Sequence, residues 1–170
     1  SLASDQCAPG VPWCSEAVGE VEGRGIELEV AGQLTARWQL SAGYTYTRSK
    51  HIEATSDAAA GDRFATDQPR HLFKLFTTWQ LPGGLSDWRI GGGLRVQNAI
   101  HQDTGTVRIR QGGYALADLM LAWQATSHLD LRLNIANLFD RYYYESIARP
   151  SDGNGFGVPR SWMLTARYRF

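Results

Sequence analysis

Residues 160–170 read RSWMLTARYRF, and side chains of two kinds alternate along this stretch. One set comprises Trp162, Leu164, Ala166, Tyr168 and Phe170, and the other comprises Ser161, Met163, Thr165, Arg167 and Arg169. Because successive side chains of a β-strand point to opposite faces, the stretch predicts a strand. One of its faces suits hydrocarbon and the other suits water.

The same alternation recurs in six earlier segments, at residues 26–35, 40–47, 73–81, 88–97, 117–124 and 128–135. Charged side chains stay on one face across all seven segments, at Glu27, Glu29, Lys74, Arg89, Arg95, Asp118, Asp130, Arg132, Arg167 and Arg169. Acidic and basic positions recur on neighbouring segments, so we expect cross-strand pairs such as Asp130 with Arg167 and Asp118 with Arg95. The sequence therefore predicts seven strands with one apolar and one polar face.

The connections between these segments alternate in length. Short joints lie around residues 37–39, 81–87 and 125–127, and longer ones cover 50–68, 102–112 and 142–158. Short turns at one end and long loops at the other are typical of an antiparallel meander that crosses a bilayer, with periplasmic turns and extracellular loops. We therefore predict an all-β fold, an antiparallel transmembrane β-barrel.

Seven strands leave two open edges, which a lipid environment does not tolerate. We expect residues 20–170 to be the C-terminal part of a larger barrel, separated from its other strands by truncation. Residues 1–19 are predicted to form an extracellular loop. An eighth strand hidden there is the alternative, and Pro9 and Pro12 disfavour it.

Composition and residue spacing exclude several other classes. No run approaches the roughly 18 apolar residues that a membrane helix needs, and 17 basic against 17 acidic residues leave no nucleic-acid footprint. The four histidines show no metal-ligand spacing, and no serine has a base at a suitable position. We expect no enzyme, no metal site and no nucleic-acid partner.

The two cysteines, Cys7 and Cys14, stand seven apart in a segment rich in proline and glycine. This spacing suits a compact turn, no further cluster completes a metal site, and the outer loops of a barrel face an oxidising compartment. We predict a small loop disulfide, with two unrelated thiols as the alternative.

Several motifs resemble those of one family. The segments NIANLFDRYY at 134–143 and GVPR at 157–160, with the terminal RYRF, resemble the C-terminal signature of TonB-dependent receptors. The segments DQPRHLFKL at 67–75 and GGYALADLM at 112–120 resemble the ferric-siderophore branch of that family. The resemblance covers nearly the whole chain from Gly23 onward.

The resemblance implies a plugged barrel of roughly 22 strands in the outer membrane of a Gram-negative bacterium. Such a receptor binds a ferric siderophore outside and admits it when the TonB complex pulls on a plug, which these residues do not include. It needs no cofactor, since iron enters only within its ligand. A receptor for another scarce nutrient, or a small structural or enzymatic outer-membrane barrel, are the alternatives.

Aromatic residues of the last strand are expected to serve the membrane. Trp162 and Tyr168 fit the belts in which a ring is buried and its polar edge stays wet. Phe170, a terminal aromatic, is similar to the signal by which the barrel assembly machinery recognises its clients. Its alternative role is that of a further belt residue.

Ligand contacts are expected on the long loops and the outer ends of the strands, where aromatic faces and arginine donors suit a ferric siderophore. The first candidates are Tyr142, Tyr143, Tyr144, Arg149, Arg108 and Trp13. Further candidates are His51, Arg63, Phe64, His101, Arg110 and Phe156. The alternative for each is an exposed loop or belt residue, and the tyrosine run also has packing as an alternative.

Overall fold

A computed structural model describes residues 19–54, 58–103, 107–148 and 153–170. Its strands are β1 Val21–Thr35, β2 Trp38–His51, β3 His71–Gln80, β4 Trp88–Gln97, β5 Ile100–Asp103, β6 Arg108–Gln111, β7 Tyr114–Gln124, β8 Leu129–Ala136, β9 Tyr144–Ser146, β10 Gly155–Phe156 and β11 Ser161–Tyr168. Seven of them form one sheet in the order β1-β2-β3-β4-β7-β8-β11. The predicted seven-strand meander is confirmed. No helix of the described residues is long and apolar enough to cross a membrane.

The register of the sheet sorts the two faces as the alternation predicted. One row across the strands from β11 to β2 carries only apolar side chains, at Leu164, Leu133, Leu121, Ile90, Trp79 and Trp38. The adjacent row on the opposite face carries polar and small side chains, at Thr165, Arg132, Ala122, Arg89 and Gln80. Leu164 is 72% exposed on the apolar face. An exposed apolar face of this extent suits lipid and not water.

An aromatic row follows the short-turn end of the apolar face. Trp38 lies opposite Trp79 in the register, and the rings of Trp88 and Trp123 are stacked with centroids 5.1 Å apart. The ring of Tyr168 continues the row beside His128, at 6.2 Å. Aromatic rings in such a row are typical of a membrane–water interface.

Short turns join the strands at that end. A two-residue turn at 36–37 connects β1 to β2, so Trp38 lies within β2 and not within the joint that the sequence predicted there. A 3-10 turn at Gly83–Leu85 connects β3 to β4. Between β7 and β8, the hydroxyl of Thr126 accepts hydrogen bonds from the amides of His128 and Leu129. These turns are too short for anything but antiparallel neighbours.

Two of the predicted long loops contain hairpins. Strands β5 and β6 pair through Ile100 with Gln111 and Asp103 with Arg108, and β9 pairs with β10. The predicted long connections at 102–112 and 142–158 thus contain short strands that the sequence did not predict. Strands of two to four residues give too few alternations to be told from loop sequence.

A separate small compact unit comprises described residues among 19–24 and 48–65. In it, Lys50 forms a backbone bridge with Arg63, and its ammonium lies 3.3 Å from the carboxylate of Glu22. The ring of His51 meets Phe64 edge-on at 5.4 Å. The larger unit, Gly25–Thr47 with Thr66–Phe170, contains most of the sheet and both hairpins.

Candidate ligand-binding site

Most of the buried side chains lie at the long-loop end of the larger unit. The deepest are Ile100, Ile147 and Tyr114, which are 1%, 3% and 3% exposed. Tyr114 begins β7 directly opposite Gln97, so its ring stands on the polar face of the sheet. The seven-stranded sheet, called the wall below, has few buried side chains of its own. The buried side chains form a packed cluster where a loop folds back over this sheet.

Tyr143 belongs to this cluster. Its ring lies 4.6 Å from that of Tyr114 and is 6% exposed. On its other side the ring covers Gly157, where an added Cβ would overlap the ring at 1.9 Å. Only glycine therefore fits at position 157. Tyr143 packs the hairpin onto the wall, and burial raises the pKa of its phenol.

Glu145, two residues after Tyr143, also contacts the sheet. Its carboxylate lies 3.6 Å from the guanidinium of Arg95 on β4, and Arg95 also donates to the side-chain carbonyl of Gln97 at 3.2 Å. The amide of Tyr144 donates to the Gln111 side chain at 2.9 Å. These contacts hold the β9–β10 hairpin over the polar face of the sheet.

Three aromatic side chains project from the opposite side of that hairpin. Phe156 lies opposite Tyr144 in the pairing of β9 with β10, and their rings are 4.7 Å apart. The ring of Tyr142 lies 5.0 Å from that of Phe156. Tyr142 is 78% exposed and Phe156 is 54% exposed. These three rings, called the aromatic platform below, form one cluster, in which Tyr142 and Phe156 are exposed and Tyr144 is half-buried.

Asn137 stands at the base of the same loop. It has a left-handed backbone with φ of 50° and is buried. Its Nδ2 donates to the carbonyls of Arg141 and Val158 at 2.8 and 3.0 Å, and its Oδ1 accepts from the amide of Arg141 at 2.8 Å. Its own amide donates to Asp118 on β7 at 2.9 Å. A single side chain thus ties both ends of the loop that carries the platform.

Arg108 lies at the tip of the β5–β6 hairpin, in a bidentate pair with Asp103. Its Nε and Nη2 donate to the two carboxylate oxygens at 2.6 and 2.8 Å. Arg108 holds the pKa of the Asp103 carboxyl below its ordinary range, with a smaller contribution from His101. His101 in turn lies opposite Arg110. Arg108 is thus a positioned cation that uses Nε and Nη2 in the pair with Asp103.

The remaining predicted residues are placed as follows. Trp13, Arg149, Cys7 and Cys14 lie outside the described residues, so their roles stay predictions. His51, Arg63 and Phe64 belong to the small unit. Trp162, Tyr168 and Phe170 are exposed side chains, and their membrane roles also stay predictions.

Charges on the polar face pair differently from the expectation. Asp130 lies opposite Arg167 but pairs with Arg169 at 3.0 Å, and Asp118 lies opposite Gly93 and not Arg95. Arg95 instead reaches Glu145. A groove of about 830 Å³ lies on the polar face of the sheet. Its lining includes Arg89, Asp130, Arg132, Thr165, Arg167 and Arg169. Among the described residues, no three His, Cys, Asp or Glu side chains are grouped to hold a metal ion.

Sequence reasoning missed Tyr114, Arg95, Glu145 and Asn137 as parts of this region. One signal was available, since Tyr143 and Glu145 alternate with Tyr142 and Tyr144, which predicts two faces for the segment. The partner residues on β4 and β7 are distant in sequence, and nothing local marks them.

An all-β antiparallel meander with an exposed apolar face, an aromatic row and short turns at one end defines the wall of a transmembrane β-barrel. The sequence model of the family described as TonB dependent receptor-like, beta-barrel matches residues 2–138. The chain belongs to the TonB-dependent receptor family.

Named relatives of the chain are siderophore receptors. The ferric-pyoverdine BN7/BN8 receptor of Pseudomonas putida is 38% identical over 147 residues, covering 86% of this chain and 17% of the relative. The catecholate siderophore receptor Fiu of Escherichia coli K12 is 31% identical over 156 residues, covering 89% and 20%. The solved structure of the pyoverdine outer membrane receptor FpvA from Pseudomonas aeruginosa bound to pyoverdine superposes with a TM-score of 0.83 at 28% identity, covering 97% of this chain and 24% of that one. The chain thus spans about a fifth of the length of the curated relatives it matches.

Proposed function

We propose that this chain is part of an outer-membrane receptor that takes up ferric siderophores, energised through TonB. The observation that carries the proposal is the aromatic platform, which stands on the polar face of a barrel wall at its long-loop end. The named relatives, all siderophore receptors, support the same ligand class. The role is transport and not catalysis.

The proposed setting is the outer membrane of a Gram-negative bacterium. Lipid then covers the apolar face, and the aromatic row with Trp162 on the same face marks its two interfaces. The long-loop end faces the outside, and the TonB complex acts through the plug of the full-length receptor. Phe170 at the end of the last strand serves recognition by the barrel assembly machinery.

The chemistry of the platform suits a ferric siderophore. Planar catecholate or chromophore groups stack on ring faces, each such contact contributing about 0.5–1.5 kcal/mol. Tyr142 and Tyr144 add phenol groups that can donate to the oxygens of the chelate. Arg149 and Arg108 are the proposed cationic contacts at the rim, together with Trp13 as a further ring.

The test is siderophore-dependent growth and binding with the full-length receptor. A deletion strain is complemented with the wild type, with the double variant Tyr142→Ala/Phe156→Ala, or with Phe139→Ala, a matched control. Phe139 is an exposed aromatic residue of the same region, 79% exposed, that is not part of the platform. Ferripyoverdines, a ferric tricatecholate and a ferric trihydroxamate are supplied under iron limitation.

At least one of these chelates is expected to require the wild-type receptor for growth. Its Kd should rise roughly three- to tenfold for each platform ring removed, and Phe139→Ala should leave it unchanged. Growth of the deletion strain on every chelate would contradict the proposal. Loss of growth on a different scarce nutrient would assign the receptor to that nutrient instead.

A further inference from the structure

Asn137 is the point at which the two ends of the platform loop meet. Its Nδ2 lies between the carbonyls of Arg141 and Val158 and donates to both. Arg141 directly precedes Tyr142, and Val158 follows Phe156 by two residues. We propose that Asn137 is the positioning residue of the ligand site, which keeps Tyr142 and Tyr144 beside Phe156. The proposal rests on the function proposed above.

The local backbone favours asparagine at this position. A φ of 50° belongs to the left-handed region, which asparagine tolerates better than most residues with a side chain. The amide of Asp140 donates to the Asn137 carbonyl at 2.8 Å and closes the tight turn. Because the chain leaves β8 through this left-handed residue, the Asn137 side chain points toward the two ends of the loop. Asn137 thus provides both the left-handed turn and the three side-chain hydrogen bonds to Arg141 and Val158, which are called the clamp below.

The clamp is joined to the wall and to the last strand. Asp118 accepts the Asn137 amide at 2.9 Å, which connects the clamp to β7. Asp140, itself left-handed with φ of 54°, accepts the amide of Arg160 at 2.9 Å, directly before β11. The clamp is thus fixed to the sheet on both sides, and the loop ends have a fixed starting position.

The clamp and the hairpin contacts act at different places. Tyr143 and Glu145 hold the middle of the segment against Tyr114 and Arg95, whereas Asn137 sets the separation of the two loop ends. Its Oδ1 and Nδ2 make three hydrogen bonds from a buried position. Without Nδ2, the carbonyls of Arg141 and Val158 lose their shared donor, and the ends are free to part.

Two substitutions separate the clamp from the backbone requirement. Asn137→Gly keeps the left-handed conformation at no steric cost and removes all three side-chain bonds. Asn137→Asp keeps the shape but places a carboxylate against two carbonyl oxygens. The matched control is Asn134→Ala, three residues earlier on β8, on the open polar face between Met120 and Met163.

The first measurement is hydrogen exchange by mass spectrometry on the full-length receptor in detergent, without ligand. In both Asn137 variants, the segments at 141–147 and 153–160 are expected to exchange about tenfold faster or more. The strands Leu129–Ala136 and Ser161–Tyr168 should keep wild-type protection, as should every segment of Asn134→Ala. Wild-type exchange in the loop segments would overturn the proposal. Faster exchange throughout β8 and β11, or a loss of folded barrel, would also overturn it, because Asn137 would then support the fold and not the site.

The second measurement is the Kd of the chelate identified by the growth test, or of ferripyoverdine as the standard probe. Asn137→Gly should raise this Kd, and adding Phe156→Ala should raise it by less than Phe156→Ala does in the wild type. Full additivity of the two changes would contradict a role through the platform. If the wild type binds no ferric chelate, the proposed function fails, while the exchange experiment still decides whether the clamp exists.

Discussion

Asp130 and Arg167 face each other across β8 and β11, yet the carboxylate of Asp130 pairs with Arg169, its diagonal neighbour. Diagonal neighbours on one face of a sheet remain within reach of long side chains. The twist of the sheet and the length of arginine therefore decide the partner. Arg167 is left to face the groove that runs along the polar side of the wall.

Arg169→Gln should lower the free energy of unfolding by up to about 1 kcal/mol, the usual range of an exposed ion pair. Arg167→Gln should leave it unchanged within error, because Arg167 does not hold Asp130. Urea titration of the purified receptor, followed by its heat-modifiable mobility on gels, measures both. A larger loss for Arg167→Gln than for Arg169→Gln would show that Asp130 chooses its opposite neighbour in the membrane.

Gly92 marks a close approach of backbone within the sheet. A Cβ at this position would lie 2.5 Å from the carbonyl oxygen of Asp118, whereas a Cβ at Gly32 would meet nothing within 4 Å. Gly92→Ala is therefore expected to cost about 1–3 kcal/mol of unfolding free energy, and Gly32→Ala is expected to be neutral. Equal stabilities of the two variants in the same urea titration would be incompatible with the spacing of β4 and β7.

The pKa of Asp103 gives a prediction for the β5–β6 hairpin. The lowered pKa means that the pair with Arg108 stabilises the hairpin above the ordinary value of 3.8 and ceases to do so as the pH falls through the lowered value. Arg108→Gln should raise the Asp103 pKa toward its ordinary value, which carboxyl NMR titration measures. Arg110→Gln, on the same strand, is the control and should change it little. If the pKa of Asp103 is the same in Arg108→Gln as in the wild type, the ion pair between Arg108 and Asp103 is ruled out.

The stacked rings of Trp88 and Trp123 give a test of the aromatic row. Their planes are inclined by only 6°, and Trp123→Leu keeps an apolar side chain while removing the stack. The expected loss is about 0.5–1.5 kcal/mol of unfolding free energy. Trp162→Leu, at the other end of the same face, is the control without that stack. Equal losses for the two variants would mean that the row contributes through apolar area alone.

The sequence was sufficient for the parts of the fold that depend on local alternation. The number of strands in the main sheet, its two faces and the short turns could be predicted, because every strand of that sheet carries enough alternations to show its period. The ion-pair partner of Asp130 could not be predicted, because the choice between Arg167 and Arg169 depends on the twist of the sheet and on side-chain length. The hairpin at Tyr144 is too short to be recognised, and the burial of Tyr143 depends on Tyr114 and Gly157, both distant along the chain.

In the candidate site, too, local features could be predicted from the sequence, whereas contacts between distant residues could not. The tyrosine run was identified from its residue type and its position on a long loop. That Tyr142 is open while Tyr143 is packed could be decided only by the position of the hairpin over β4 and β7. The role of Asn137 was hidden for the same reason, because its partners Arg141 and Val158 meet only after the loop has closed.

Neighbouring residues of the β9–β10 hairpin and its flanks have different structural roles. Substitutions at Tyr143, Glu145 or Gly157 alter the contacts that hold the loop on the wall. Substitutions at Tyr142, Tyr144 or Phe156 alter the proposed ligand surface and leave these contacts with the wall intact. In the proposed receptor, the ligand range can therefore change at alternate positions of one short segment, without rebuilding the wall that supports it.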